Sequence, residues 1–500
     1  MSVIKKLAGQ TAIYGVSSIL GRVFNYLLTP LYISSFTPEV YGENTEMYAY
    51  VAFFMVVLTF GLETAFFNFS TKKENDKESV YSTALTFLAG SSVLFILIGL
   101  LFTQSIANII GYASRPDFVL YFVFILAFDA FSAIPMARLR QENKAKKFAL
   151  INLANIGVNI FFNLLFIWYA KGQFDENSTN WLSEMFYKPE IGIAYIFIAN
   201  LIASSVKLAL LYKEILLVKW QWNMQLLKQM LVYSLPLMFA GFAGIINETF
   251  DKILLRKLLE PEHGIVYAKQ QVGIYGGVYK LSILISLFIQ AYRYAAEPFF
   301  FAKAKDKDAK KTYAYIMNYF VIVVSILFLG VVLYLEVFKW ILLPNEAYWI
   351  GLKVVPILLL ANVCLGIYYN QSIWYKLSHQ TKYGAYLAIG GAILTVILNV
   401  IFIPSYGFVA SAWATLAVYF SMMVASYFLG QKHYPIPYNL KKIGFYLGFT
   451  FVIYGISLAF KYFFPDNIWV ILTFNTGLMA FYLWFIVRLE KIDLRGILKR

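Results

Sequence analysis

Charge is scarce in this sequence, and that scarcity argues against a soluble protein. Only 14% of the 500 residues are charged, whereas 60% are hydrophobic. A soluble chain carries about 25% charged residues, so most of this chain is unsuited to contact with water. Apolar runs of about 20 residues recur along the chain, which is long enough to cross the ~30 Å hydrocarbon core of a membrane.

Cysteine and histidine are almost absent, which excludes two kinds of site. Cys364 is the only cysteine, so no intramolecular disulfide can form. The histidines His263, His379 and His433 are far apart in the sequence and do not suggest a zinc site. The sequence also lacks a Gly-rich phosphate loop and a nucleophile elbow. We therefore predict no cofactor, no metal and no enzymatic centre.

The apolar runs predict an all-α fold with about fourteen transmembrane helices. We interpret the first run as an uncleaved span, because no small-residue cleavage site follows a short apolar core. The predicted spans are approximately residues 11–35, 45–69, 80–103, 118–137, 148–170, 191–212, 231–251, 272–301, 313–335, 351–375, 384–402, 408–430, 443–463 and 468–487.

Basic residues outnumber acidic ones, 42 to 27, which gives a net charge of +15. They form small clusters between the apolar runs, and the absence of a single basic patch excludes nucleic acid as a partner. Fourteen spans place about 28 basic residues on one side and about 10 on the other, and the richer side is cytoplasmic by the positive-inside rule. We predict a multi-pass protein of the cell inner membrane with both ends in the cytoplasm.

The two halves of the chain show weak internal similarity at nearly one offset, which favours duplication. The matches are Tyr41-Gly42 with Tyr275-Gly276, Phe54 with Phe288, Glu63 with Glu297 and, at an offset of 236, Asn163 with Asn399. We predict an N-lobe at 1–230, a C-lobe at 231–435, and two further helices with a basic cytoplasmic tail at 436–500. Parallel repeats of this kind are a transporter architecture in which the substrate lies between the halves.

Charged residues inside the predicted spans are the candidate site. Arg22 lies roughly 17 Å along the first span, where an arginine costs about 2.5–3.5 kcal/mol. It is expected to face a hydrated space or an acidic partner. Arg293 and Lys280 lie in the eighth span, and snorkelling to the interface stays open for Arg293. A cationic interior suits an anionic substrate, because the arginine fork matches phosphate oxygens.

A second set of intramembrane charges is a candidate for cavity lining or ion coupling. For Glu248 and Asp251, pairing with Lys280 at similar depth stays open. The asparagines of the fifth span are interpreted as contacts between helices. The second set consists of Glu46, Glu248, Asp251, Asp129 and Lys207.

Residues 7–69 read LAGQTAIYGVSSILGRVFNYLLTPLYISSFTPEVYGENTEMYAYVAFFMVVLTFGLETAFFNF. This stretch resembles the Wzx-type polysaccharide-biosynthesis flippases of the multidrug/oligosaccharidyl-lipid/polysaccharide exporter superfamily, in particular their lipopolysaccharide-biosynthesis members. The resemblance implies a MATE-like fold of two pseudo-symmetric lobes. It also implies that undecaprenyl-pyrophosphate-linked oligosaccharide, such as an O-antigen repeat unit, is moved from the cytoplasmic to the outer leaflet by alternating access.

The resemblance also implies site residues. The related lipid II flippase has arginines in its first helix, an acidic residue at the start of helix two and an arginine in helix eight. Arg22, Glu46 and Arg293 are the matching positions, although this sequence has a single arginine in its first span. The implied partners are the lipid-linked oligosaccharide and membrane lipids, with a polysaccharide polymerase and glycosyltransferases left open, and the implied state is a monomer.

Three other functions stay open. A cation-coupled multidrug exporter of the same superfamily would favour an acidic cavity in the first half, and the first span contains no carboxylate. A lipid II flippase would share the chemistry but would be essential for growth. A membrane glycan polymerase or glycosyltransferase would need larger outer segments than this chain has.

Overall fold

The computed structural model describes residues 20–72, 76–216, 218, 220–304, 306–464 and 467–491, and within these ranges the regular elements are helices. They include a π-helix, Leu164–Ala170, and a 3-10 helix, Glu346–Val354. The helices are α1 (20–27), α2 (Thr29–Ser35), α3 (Pro38–Thr59), α4 (Leu62–Ser70), α5 (Lys77–Leu101), α6 (Thr103–Ile110), α7 (Pro116–Gln141), α8 (Ala145–Asn163), α9 (Lys171–Asp175), α10 (Trp181–Phe186), α11 (Ala194–Leu210), α12 (Tyr212–Leu216), α13 (Met224–His263), α14 (Ile265–Lys303), α15 (Ala309–Leu333), α16 (Leu335–Leu342), α17 (Val355–Gln371), α18 (Ile373–Leu377), α19 (Lys382–Tyr406), α20 (Phe408–His433), α21 (Leu440–Phe463) and α22 (Ile468–Leu489).

The predicted all-α membrane architecture is confirmed. Within the described residues, 12 helices are long and apolar enough to cross a membrane. The sixth predicted span corresponds to the shorter apolar helix α11. The first corresponds to α1 and α2, while its residues 11–19 lie outside the described part of the chain. Fourteen is therefore an approximate count of spans.

Helix boundaries follow local chemistry. Asp76 accepts a hydrogen bond from the Ser79 amide and caps α5, and Asn223 caps α13 in the same way. Between α3 and α4 the chain turns through Phe60 and Gly61, whose φ angles of 50° and 64° are left-handed. A helix cannot continue through left-handed residues, so Glu63 begins a new helical direction.

Contacts divide the chain into two compact units. The first comprises residues up to Gly276 together with Ala392–Phe408, and the second comprises Gly277–Gly391 together with the chain from Val409 onwards. In the first unit α7 packs on α5 and α11, and α13 packs on α3. In the second, α15 packs on α17, α21 and α22. The division of the lobes at residues 230 and 435 stays a prediction.

In the first unit, α3 crosses the first turns of α14 with backbone nearly touching backbone. A Cβ on Gly42 would lie 2.1 Å from the carbonyl oxygen of Lys269, and a Cβ on Gly273 would lie 1.7 Å from that of Pro38. No side chain fits at either position without moving a helix. The crossing therefore requires glycine on both helices.

We expect Gly273→Ala to lower the melting temperature of the purified protein, because the new methyl group forces α3 and α14 apart. Overpacking of this kind costs about 1–3 kcal/mol. The matched control is Gly244→Ala on α13, where a Cβ meets no atom within 4 Å. Intrinsic fluorescence during heating in detergent measures both, and equal melting temperatures would contradict the crossing.

Candidate functional site

Arg22 lies on an exposed face of the first unit. Its side chain is exposed, and it makes no ion pair or hydrogen bond with the other described residues. It precedes Ser35, the last residue of α2, by roughly 20 Å of helix rise, and its place within the ~30 Å hydrocarbon core stays a prediction. A charged side chain at such a depth is stable where it meets water instead of acyl chains.

Four residues on α1, α2 and α8 form a continuous hydrogen-bonded series, which we call the amide relay: Tyr32, Asn163, Asn159 and Asn25. The Tyr32 hydroxyl donates to Asn163 Oδ1 at 2.9 Å. Asn163 Nδ2 donates to the carbonyl oxygen and the Oδ1 of Asn159, at 2.8 and 3.1 Å. Asn159 Nδ2 donates to Asn25 Oδ1 at 3.3 Å. The relay joins α8 to α1 and α2.

The relay runs from a buried end to an exposed end. Asn163 is 0% exposed and Tyr32 is 9% exposed, whereas Asn25 is exposed. The π-helix begins directly after Asn163, and such widened turns often mark functional sites. The interpretation of these asparagines as contacts between helices fits the bonds to Tyr32 and Asn25. It does not account for the exposure of Asn25.

Arg293 and Lys280 both lie in the part of α14 that belongs to the second unit. The Arg293 guanidinium lies over the Tyr369 ring, 4.2 Å from its centroid, and its Nε is 3.8 Å from Glu297 Oε1. Glu297 is paired more closely with Lys376, at 2.5 Å. Arg293 is 40% exposed, so part of its charge is available to a ligand. Lys280 is half-buried.

Glu46 is held in a buried ion pair that the sequence analysis did not foresee. The Glu46 and Arg256 side chains are 1% and 0% exposed, and Arg256 Nη1 lies 3.0 Å from Glu46 Oε2. Tyr112 donates to the same carboxylate at 2.7 Å. The guanidinium also donates to the carbonyl oxygens of Ile110 and Gly111, both at 2.8 Å. These contacts tie α13 to α3 and to the end of α6.

The sequence analysis ended the seventh span near residue 251, which left Arg256 in a loop. The helix continues beyond that span, because α13 ends at His263, so Arg256 lies in a helix and not in a loop. The sequence contains an indication that the helix continues. Leucines with helical spacing lie on both sides of Arg256, so the apolar period does not stop at residue 251. Two of these leucines, Leu255 and Leu259, are buried.

The two acidic candidates of α13 differ in their surroundings. Asp251 is 3% exposed, accepts from the Tyr275 hydroxyl at 2.7 Å and lies 3.0 Å from Lys252 Nζ. Glu248 is exposed. Asp251 therefore has nearby donors that stabilise its buried charge, and Glu248 remains the accessible carboxylate of this pair.

Asp129 and Lys207 pair with each other. Asp129 on α7 and Lys207 on α11 lie 2.5 Å apart, and their side chains are 27% and 16% exposed. Two isolated intramembrane charges in the sequence are thus one ion pair joining two neighbouring helices.

The internal repeat is visible as a matched contact in each unit. Glu63 pairs with Arg140 in the first unit, and Glu297 pairs with Lys376 in the second. The acidic partners are 234 residues apart and the basic partners 236 apart, which are the two offsets found in the sequence. Asn163 and Asn399, which both belong to the first unit, also match: both are fully buried, and each donates to the carbonyl four residues earlier.

The end of α7 carries a further cluster of charge. Arg138 bridges Glu78 and Glu142, with Nε 2.7 Å from Glu142, and Lys144 contacts Glu142 as well. Partial burial opposes ionisation of Glu142, but the hydrogen bonds from Lys144 and Arg138 outweigh it and lower the pKa of that carboxyl group. The charged form of Glu142 is therefore favoured.

Residues 7–303 match the family model described as "Polysaccharide biosynthesis protein". Among curated proteins, the "Lsg locus putative protein 1" of Haemophilus influenzae is 20% identical over 430 residues, which is 83% of this chain and 98% of that protein. The region matched by the family model includes both Arg22 and Arg293. The resemblance found in the sequence is thus confirmed at the level of the family.

Solved structures share the fold. "Lipid II flippase MurJ, inward closed conformation" superposes with a TM-score of 0.71 at 15% identity, covering 96% of this chain and 100% of that one. An inward-facing multidrug resistance MATE transporter of the MOP superfamily gives a TM-score of 0.63 at 13% identity, covering 82% and 94%. At these identities the likeness concerns the fold, and it confirms the predicted MATE-like architecture.

Proposed function

Because the chain belongs to the polysaccharide biosynthesis protein family, we propose that it is a flippase that moves a lipid-linked oligosaccharide across the cell inner membrane. The proposed substrate is an undecaprenyl-pyrophosphate-linked repeat unit of a surface polysaccharide such as O-antigen. It enters from the cytoplasmic leaflet and leaves in the outer leaflet. Both chain ends lie in the cytoplasm under this proposal, as the distribution of basic residues suggests.

The observation that carries the proposal is that Arg22, which the sequence predicts to lie within the membrane thickness, is exposed and lies one helical turn from the exposed Asn25. Crossing bare hydrocarbon would strip water from the diphosphate and the sugars without giving them new partners, which is prohibitive. A polar face within the spans supplies partners during the crossing. The polyprenyl chain remains in lipid, where it is already stable.

Arg22 binds the diphosphate in this mechanism, because guanidinium donors pair with phosphate oxygens. Arg293 and Lys280 are the candidate phosphate-binding residues of the second unit. Alternating access, the mechanism that the resemblance implied, exposes the bound headgroup first to one side of the membrane and then to the other. The exposed Glu248 is the candidate for ion coupling.

A strain that lacks the chain tests the proposal. We expect loss of surface polysaccharide and accumulation of the lipid-linked oligosaccharide in the cytoplasmic leaflet. Labelling with a membrane-impermeant lectin measures which leaflet holds the oligosaccharide. Re-expression of the chain restores both. Undisturbed polysaccharide together with increased drug sensitivity would favour a multidrug exporter instead, and arrested growth with accumulated lipid II would favour a lipid II flippase.

A further inference from the structure

The hydrogen bonds of the amide relay have one direction, and a main-chain carbonyl fixes it. The carbonyl oxygen of Asn159 can only accept, so the Asn163 atom 2.8 Å from it is the donor Nδ2. The opposite atom of the same amide is then Oδ1, which accepts from the Tyr32 hydroxyl. The buried start of the relay thus has a single assignment of nitrogen and oxygen.

This direction passes to Asn159 and then to Asn25. Because Asn163 Nδ2 is a donor, the Asn159 atom 3.1 Å from it is the acceptor Oδ1. Asn159 therefore presents its NH2 group to Asn25, which accepts through Oδ1 at 3.3 Å. The NH2 group of Asn25 takes no part in this bond, and Asn25 is an exposed residue. The buried Asn163 determines which atoms Asn25 offers, although it does not touch the exposed surface.

Asn25 and Arg22 lie one helical turn apart on α1, so they share a face. Arginine offers only donors, and the relay makes Asn25 a donor too. Two neighbouring donor groups with one positive charge, exposed within the membrane thickness, match a ligand that is anionic and rich in acceptors. The oxygens of a diphosphate have these properties, whereas an apolar or cationic ligand does not.

We propose that Asn25 is a second phosphate-binding residue beside Arg22, and that Tyr32, Asn163 and Asn159 are positioning residues that hold its amide as a donor. The assignment rests on the proposed function and adds to it a residue that selects acceptor-bearing headgroups. Asn25 contacts the phosphate oxygens, and the relay acts through Asn25 alone.

The test is Asn159→Asp, which reverses the direction of the hydrogen bond to Asn25 without changing the length of the side chain. An aspartate accepts from Asn163 through one oxygen and from Asn25 through the other, so Asn25 must turn its NH2 group inward and present its oxygen to the ligand. Asn155→Asp is the matched control. Asn155 lies one turn earlier on α8, is half-buried like Asn159, and receives the same negative charge without touching the relay.

Binding is measured on the purified full chain with geranylgeranyl diphosphate as the probe and geranylgeraniol as its phosphate-free counterpart. We expect Asn159→Asp to weaken diphosphate binding about tenfold or more, and Asn155→Asp to change it by about twofold or less. Asn25→Ala should match Asn159→Asp, and it serves as the readout if that variant fails to fold. Binding of the alcohol should stay unchanged throughout.

Equal weakening by the two aspartate variants would show that charge alone matters, and it would overturn the relay assignment. Unchanged binding in Asn25→Ala would overturn it as well. Both outcomes leave the proposed function standing as long as the wild-type chain prefers the diphosphate to the alcohol. A wild-type chain without that preference would instead refute the phosphate site of the proposed function.

Discussion

We expect replacement of Arg22 with alanine to abolish export of the surface polysaccharide while the amount of chain in the membrane stays at the wild-type level. Arg22 is exposed and unpaired among the described residues, so its removal leaves no buried charge behind among them. Its loss removes the positive charge that pairs with the diphosphate in the proposed function. Charge-assisted hydrogen bonds are about twice as strong as neutral ones, so the remaining Asn25 cannot compensate.

The measurement is surface polysaccharide per cell, with the amount of membrane protein determined in parallel. Arg22→Lys retains the charge but not the planar fork, and we expect it to restore part of the export. Arg488→Ala is the control, since Arg488 is equally exposed and lies in the last turn of α22. Normal export by Arg22→Ala would remove Arg22 from the mechanism.

Replacing Arg256 with alanine lowers the free energy of unfolding by about 3–5 kcal/mol, because it leaves a buried carboxylate without its counter-ion. Glu46 is 1% exposed and would keep only the hydroxyl groups of Tyr112 and Tyr50. The carbonyl oxygens of Ile110 and Gly111 lose their donor at the same time. We expect little folded protein to reach the membrane.

Fluorescence-detected size exclusion of the solubilised chain measures that loss. Lys257→Ala is the neighbouring control, because Lys257 makes one hydrogen bond, to Ile109, and is half-buried. The double variant Glu46→Leu, Arg256→Met removes both charges and should recover most of the folded protein. If Arg256→Ala were as stable as Lys257→Ala, the ion pair would not hold α13 to α3.

The sequence predicted the number and order of the spans well, because apolar length is a local property that each segment carries on its own. The exception is α13. A hydropathy window penalises every charge equally, so it ended the seventh span before Arg256 and missed a fully buried arginine. Burial depends on the partner, and Glu46 lies 210 residues away in the chain.

Among the candidate residues, the depth of Arg22 stays a prediction that follows from its position along an apolar run. The pairing of Asp129 with Lys207 was not predictable, because nothing in either segment identifies the other. The internal repeat made one pair of matching positions predictable from the sequence. Its offsets located Glu63 and Glu297 as equivalent, and the structure adds that each has a basic partner at the same relative position.

By itself the sequence determined that this chain crosses a membrane many times, indicated that its halves are related, and predicted that an arginine lies within the hydrocarbon thickness. These conclusions need only the cost of placing polar groups in lipid. The tertiary structure decided which charges neutralise one another and which stay exposed, and it gave the amide of Asn25 its direction. Such properties arise from distances of about 3 Å between groups on different helices, and no single segment encodes them.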